Sequence, residues 1–153
     1  LDKAMKAFNV NVSMRDELLN LYKVLSPFKE VPGVLNKLKE KNYKLGILSN
    51  GTPALLNELV KSNKLDNLFD DLFSIEQVGI YKPNSKVYDM PIKKYKIEKN
   101  ELVFLSANTW DVSGGGNYGY QSIWVNRSNN IFDNLDYKPK NEIKNLNELV
   151  KLV

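Results

Sequence analysis

Lys44-Leu45-Gly46-Ile47-Leu48-Ser49-Asn50-Gly51-Thr52-Pro53 is the stretch that decides how this chain folds. Before it, apolar residues recur at helical spacing. Here the period changes to a short apolar run, the pattern of a buried strand. Asn50-Gly51 signals a turn. Thr52-Pro53 then supplies a helix N-cap and a proline at the first helical position. The spacing predicts a strand, a tight turn and a helix reaching about residue 64.

The same alternation continues downstream. Residues 73–76 read as a weaker strand, and Asn84 caps a helix to about residue 95. Leu102-Val103-Phe104-Leu105 is the clearest strand, and Asp111 leads into a short helix. Ser122-Ile123-Trp124-Val125-Asn126 is the last clear strand, and residues 146–152 read as a closing helix. Upstream, residues 1–8 read as the end of a helix. Ser13 with Asp16 resembles a capping box before a second helix to about residue 25. Ser26-Pro27 breaks that helix, and Pro32 opens a third. Alternating helices and strands predict an α/β fold, a Rossmann-like parallel sheet with crossover helices. Two features work against their helices: Pro91 should kink the helix after Asn84 or cost about 3 kcal/mol, and Gly114-Gly115-Gly116 should loosen the one after Asp111.

Composition excludes whole classes of chemistry. The 153 residues hold no cysteine and no histidine. Disulfides, thiolate nucleophiles, zinc fingers, His-ligated metals and imidazole bases are therefore ruled out. Carboxylates, Lys, Tyr, hydroxyls, amides and backbone dipoles remain. The net charge is +4, yet the cations are 20 Lys against only Arg15 and Arg127. Groove readers of nucleic acid lean on the Arg fork, and these Lys are scattered. With 20 Asn as well, the composition fits an AT-rich genome better than a nucleic-acid partner. No stretch approaches the roughly 20 apolar residues of a membrane helix, and no signal peptide is visible. The expected setting is cytoplasmic, with no membrane partner. Leu1, Met5 and Phe8 already stand at helical spacing, so the chain reads as the C-terminal part of something longer.

In open α/β sheets, ligands bind beyond the carboxyl ends of the strands. Three polar clusters fall there. Ser49-Asn50-Gly51 offers a hydroxyl, an amide and backbone N–H groups beside a positive helix end, an anion site. It also fits an ordinary strand–turn–helix connection. Tyr81-Lys82-Pro83-Asn84 places an ammonium before a capped helix, where it either holds an anion or sits in solvent. Ser106-Ala107-Asn108-Thr109-Trp110-Asp111 follows the best strand with an unusual density of polar groups, which buried structure tolerates only when they meet a partner.

Together these strings resemble the haloacid dehalogenase superfamily, and within it the type II L-2-haloacid dehalogenases. Ser26-Pro27-Phe28 through Pro32, Ile47 to Gly51, Tyr81-Lys82-Pro83, Lys86-Val87-Tyr88, Ser106 to Asp111, Gly119-Tyr120 and Trp124 to Asn129 carry the resemblance over nearly the whole chain. It implies the end of a helical cap at residues 1–25 and a haloacid dehalogenase-like α/β core at 26–153 that lacks its first strand. It implies a small-molecule substrate, a 2-haloacid, and no cofactor. Homodimerisation is left open.

The resemblance also implies roles. Ser49 and Asn50 match residues that bind the substrate carboxylate and help accept the halide, and Trp110 matches a pocket wall. Lys82 matches the Lys that steadies the nucleophilic carboxylate, and Tyr88 a Tyr required for activity. Ser106 and Asn108 match groups that orient the nucleophile and Lys, and Asp111 the acid implicated in activating water. Tyr88 also fits a plain core stripe with Ile92 and Tyr95. The family's phosphatases resemble Gly-Asp-x-x-x-x-Asp in the Ser106 loop, where two acids help hold Mg²⁺. Here Ser106 replaces the first acid, so the resemblance points to metal-free chemistry. The family's nucleophilic Asp, in a motif like Asp-x-Tyr-Gly-Thr, has no counterpart in this sequence. Its strand would run between those ending at Ser49 and Leu105. The expected reaction is hydrolysis of short L-2-haloalkanoic acids to D-2-hydroxy acids, by a protein supplying that Asp, with residues 1–153 inactive alone. The competing readings are a phosphatase of the same superfamily and a non-catalytic remnant of a split or decaying gene.

Overall fold

A computed structural model describes all residues 1–153. Three helices open the chain: α1 (Asp2–Ala7), α2 (Arg15–Leu21) and α3 (Val31–Glu40). Five strands follow with their helices: β1 (Gly46–Ser49), α4 (Pro53–Ser62), β2 (Asp71–Ser74), α5 (Ser85–Tyr95), β3 (Val103–Ser106), α6 (Thr109–Tyr118), β4 (Gln121–Val125) and β5 (Asn141–Ile143). All pairings are parallel, as the alternation predicts.

The expected caps are present. The Leu55 N–H donates to Thr52 Oγ1 at 3.2 Å, and the Lys86 N–H donates to Asn84 Oδ1 at 3.0 Å. Near the start, Asn11 rather than Ser13 does the capping. Its Oδ1 accepts the Ser13 N–H and opens a 3₁₀ turn over Val12–Met14 before α2. β5 is a strand the sequence hides, since Asn141-Glu142-Ile143 offers one apolar residue. The closing helix shrinks to a 3₁₀ turn over Leu149–Lys151. There Asn145 Oδ1 takes the Asn147 N–H and Glu148 Oε1 takes the Lys144 N–H. Such local bonds compete with a helical ladder.

The strands form two sheets, not one. β1 pairs with β2, β3–β4–β5 form the second sheet, and no ladder joins β1 to β3. The break in the ladder between β1 and β3 is a seam in the fold. α3 straddles it. Val34 and Leu38 pack with Ile123, Val125 and Ile143 of the second sheet, while Leu35 packs with Val60 and Leu65 beside Ile47 and Leu72 of the first. A third cluster crosses too: Tyr88 of α5, Phe104 of β3 and Tyr120, with Leu48 of β1 against them.

Both helices with an expected weakness are present over their full length. α5 runs unbroken through Pro91, which is buried within it. α6 runs through all three glycines, and each stands where a side chain would meet a neighbour. A Cβ on Gly114 would come within 2.5 Å of the Tyr88 hydroxyl, and one on Gly115 within 2.7 Å of the Phe104 ring. One on Gly116 would overlap the Tyr137 ring. The glycines admit close neighbours.

Candidate active site

The polar clusters meet at the carboxyl end of the seam. β1 delivers Ser49 and Asn50, the segment before α5 delivers Lys82, and the first turn of α6 delivers Trp110 and Asp111. Lys82 Nζ donates to Asp111 Oδ2 at 2.7 Å and to the backbone oxygen of Leu48, in β1, at 3.1 Å. The Tyr88 hydroxyl donates to the other carboxylate oxygen, Asp111 Oδ1, at 2.9 Å. One ion pair thus ties the first sheet to the helix that follows β3.

This pair is out of solvent. The Lys82 side chain is 8% exposed and that of Asp111 4%. The solvated-loop alternative for Lys82 is therefore overturned. Isolated charges are very costly to bury, and these are compensated by each other, by the Leu48 carbonyl and by Tyr88. Nζ lies 5.6 Å from the Phe104 ring centroid and 5.9 Å from that of Trp110. Burial pushes the Tyr88 hydroxyl far above its ordinary pKa, and the Asp111 carboxylate adds to the shift. Tyr88 therefore remains a proton donor at any working pH. It belongs to the core as well: its ring is fully buried and meets Phe104 and Tyr120 edge-on.

Asn50 joins through its Oδ1, which accepts the Lys82 N–H at 3.1 Å. The remaining expected residues stand at the site without bonding to the ion pair. Ser49 Oγ accepts the Gly51 N–H at 2.9 Å, and Ser106 Oγ accepts the Asn108 N–H at 3.2 Å. Asn108 is the N-cap residue of α6 but makes no side-chain cap. Trp110 is 40% exposed and borders two open cavities of about 610 and 690 Å³. Neither cavity is lined by Lys82 or Asp111, which lie in the packed wall between β1, α5 and α6.

Two contributors escaped the sequence reading. The Leu48 carbonyl is a backbone group, and no residue type announces it. Ser74 is buried; its hydroxyl donates to the Gly51 oxygen at 2.7 Å and accepts the Glu76 N–H, fixing the turn after β1. Only the odd placement of a Ser at a strand end could have signalled it.

No group of three acidic side chains converges anywhere in the structure. The one carboxylate at the site already receives Lys82 and Tyr88.

Comparison with known proteins fits this picture. Residues 3–125 match the family of haloacid dehalogenase-like hydrolases. The chain belongs to that family. Among curated relatives, it is 34% identical to the (S)-2-haloacid dehalogenase of Pseudomonas sp. (strain YL), over 94% of this chain and 62% of that one. The crystal structure of an L-2-haloacid dehalogenase superimposes with a TM-score of 0.95 at 30% identity, covering 99% of this chain and 67% of the other. A phosphatase of the same superfamily from Thermococcus onnurineus superimposes with a TM-score of 0.77 at 28% identity, covering 97% and 67%. The chain therefore spans about 62% of the length of the curated relative.

Proposed function

We propose that the whole protein containing residues 1–153 hydrolyses short L-2-haloalkanoic acids to D-2-hydroxy acids. The nucleophilic carboxylate would come from a strand outside these residues, seated in the seam between β1 and β3. The observation that carries this reading is the buried Lys82–Asp111 pair at the carboxyl end of that seam. Two of the three Lys82 N–H groups are engaged. The third is free for a carboxylate arriving at the end of a neighbouring strand.

The first step forms a bond between that carboxylate oxygen and C2 of the substrate, and breaks the carbon–halogen bond. Halide leaves with the electron pair and C2 inverts. Water then attacks the ester carbonyl and gives one proton to Asp111, the bond from the carbonyl carbon to the substrate oxygen breaks, the second water proton ends on the departing hydroxy acid, and Asp111 returns its proton to solvent. Each carboxylate oxygen of Asp111 has accepting capacity beyond its present bond, so a water can approach it. Substrate and nucleophile are both anions, and their repulsion must be offset. Lys82 does this on one side. On the other, the helix N-terminus after Thr52 and the Asn50 Nδ2 donors receive the substrate carboxylate, with Ser49 beside them. Trp110 walls the pocket, and Ser106 and Asn108 orient the nucleophile once it is present. Residues 1–25 belong to the cap that closes over this face, and the chemistry requires no metal.

Similarity to the Thermococcus onnurineus phosphatase supports a second reading, Mg²⁺-dependent phosphate hydrolysis. Ser106 and the Lys82-bound Asp111 disfavour it. The test is chloride release from L-2-chloropropionate by the whole protein in the presence of chelator. Turnover that survives chelation supports the dehalogenase. No chloride release together with Mg²⁺-dependent hydrolysis of p-nitrophenyl phosphate would replace it with the phosphatase. A remnant without activity would do neither.

A further inference from the structure

α6 is squeezed from three sides at its centre. Gly115 faces Phe104 and Ser122, and Gly116 faces Tyr137. Gly114 faces the site: a Cβ there would lie 2.5 Å from the Tyr88 hydroxyl and 2.9 Å from Pro83 Cβ. That hydroxyl is the group that donates to Asp111 Oδ1, and Pro83 follows Lys82 directly. We propose that Gly114 is a positioning residue for the Asp111 carboxylate, acting through Tyr88: its missing side chain lets α6 and α5 approach until the Tyr88 hydroxyl reaches Asp111. The inference rests on the reading of Asp111 as the functional acid.

The geometry leaves little slack. The Tyr88–Asp111 bond is 2.9 Å long, and such bonds fade beyond roughly 3.0–3.2 Å. A methyl group at position 114 must displace the hydroxyl or the helix by more than that margin. Asp111 then keeps Lys82 but loses the donor that fixes its second oxygen.

The test is a double-variant cycle in the whole protein. Gly114→Ala should lower kcat about thirtyfold with KM within about twofold, and Tyr88→Phe should do the same. Gly114→Ala on top of Tyr88→Phe should cost less than about threefold more, because the hydrogen bond it would displace is already gone and, of the approaches under 3.0 Å, only the 2.9 Å one to Pro83 Cβ remains. Additive losses would overturn the proposal, as would an unchanged kcat in Gly114→Ala. If Gly114→Ala alone fails to fold, it is tested in a folded Tyr88→Phe/Pro83→Gly background, where both groups closer than 3.0 Å are gone. Recovery of cooperative melting supports the proposal, and failure to recover overturns it.

A second readout does not need turnover. A Tyr hydroxyl buried against a carboxylate should give a slowly exchanging downfield proton resonance, assigned by its loss in Tyr88→Phe. Gly114→Ala should abolish it. Gly116→Ala, which meets Tyr137 away from Asp111, should lower the melting temperature and leave it in place. Persistence in Gly114→Ala would overturn the positioning role. If no 2-haloacid is turned over while the resonance behaves as stated, the substrate reading falls and the positioning role stands.

Discussion

β4 and the pair β1/β3 are strands of the same parallel type with opposite fates. β4 is hydrogen-bonded on both sides, to β3 and β5, and its last four residues are buried. β1 and β3 are each paired on one side only, and of their eight residues only Phe104 is buried. Their sequences do not explain this. Gly-Ile-Leu-Ser and Val-Phe-Leu-Ser are as apolar as Ser-Ile-Trp-Val. A parallel strand expects neighbours on both edges and cover on both faces, so the difference marks a place, not a property of the residues. The most buried charges of the molecule stand at the carboxyl end of that place.

The comparison breaks most visibly at the ion pair. Lys82→Met leaves the Asp111 carboxylate buried without its cation, which typically costs about 3–5 kcal/mol. In the whole protein it should also abolish turnover. Denaturant melts and chloride release check both. Adding Asp111→Asn to Lys82→Met should recover stability but not activity. A Lys82→Met protein as stable as the parent would mean that the pair is not desolvated.

Core truncation sharpens the contrast between strands. Ile123→Ala, in β4, should cost about 2–5 kcal/mol whether or not the seam is filled. Ile47→Ala, in β1, should cost less than half of that in residues 1–153 alone, because Ile47 is only half buried there. In the whole protein the two costs should converge.

The smallest effect lies far from the seam. Burial alone would raise the Asp70 carboxyl, but Lys39, the Leu45 N–H and Lys44 outweigh it and hold the pKa at about 2. A carboxyl depressed in the folded state stabilises fully above its unfolded value, near 3.8, and loses that contribution as pH falls towards about 2. Asp70→Asn should flatten the acid limb of stability between about pH 4 and 2. It should leave the β1–β3 contrast untouched.

What was legible in the sequence follows the same division. The caps at Thr52 and Asn84 and the strands of β1, β3 and β4 are local signals, and they lie within a residue or two of their expected places. The convergence of Lys82 and Asp111, 29 positions apart, was legible only because both stand at strand ends of one α/β topology. Tyr88 shows the limit of periodicity, since one side chain fills the core and donates to Asp111. Gly114-Gly115-Gly116 reads as a weakness because helix propensity penalises each glycine by about 1 kcal/mol relative to alanine. Propensity is silent about Tyr88, Phe104 and Tyr137, which occupy the space a side chain would need. β5 was hidden because its pairing comes from β4 and only Ile143 of its three residues reaches the core. The seam itself is non-local, a missing partnership between residues more than fifty positions apart.

Amide hydrogen exchange tests the central claim most directly. It should be measured strand by strand in residues 1–153 alone and in the whole protein. The account predicts that β4 amides are protected in both. The seam-facing amides of β1 and β3 should exchange rapidly in 1–153 and become as slow as those of β4 in the whole protein. Equal, strong protection of β1, β3 and β4 in residues 1–153 alone would contradict it, because the seam would then hold no place for a strand and its nucleophile.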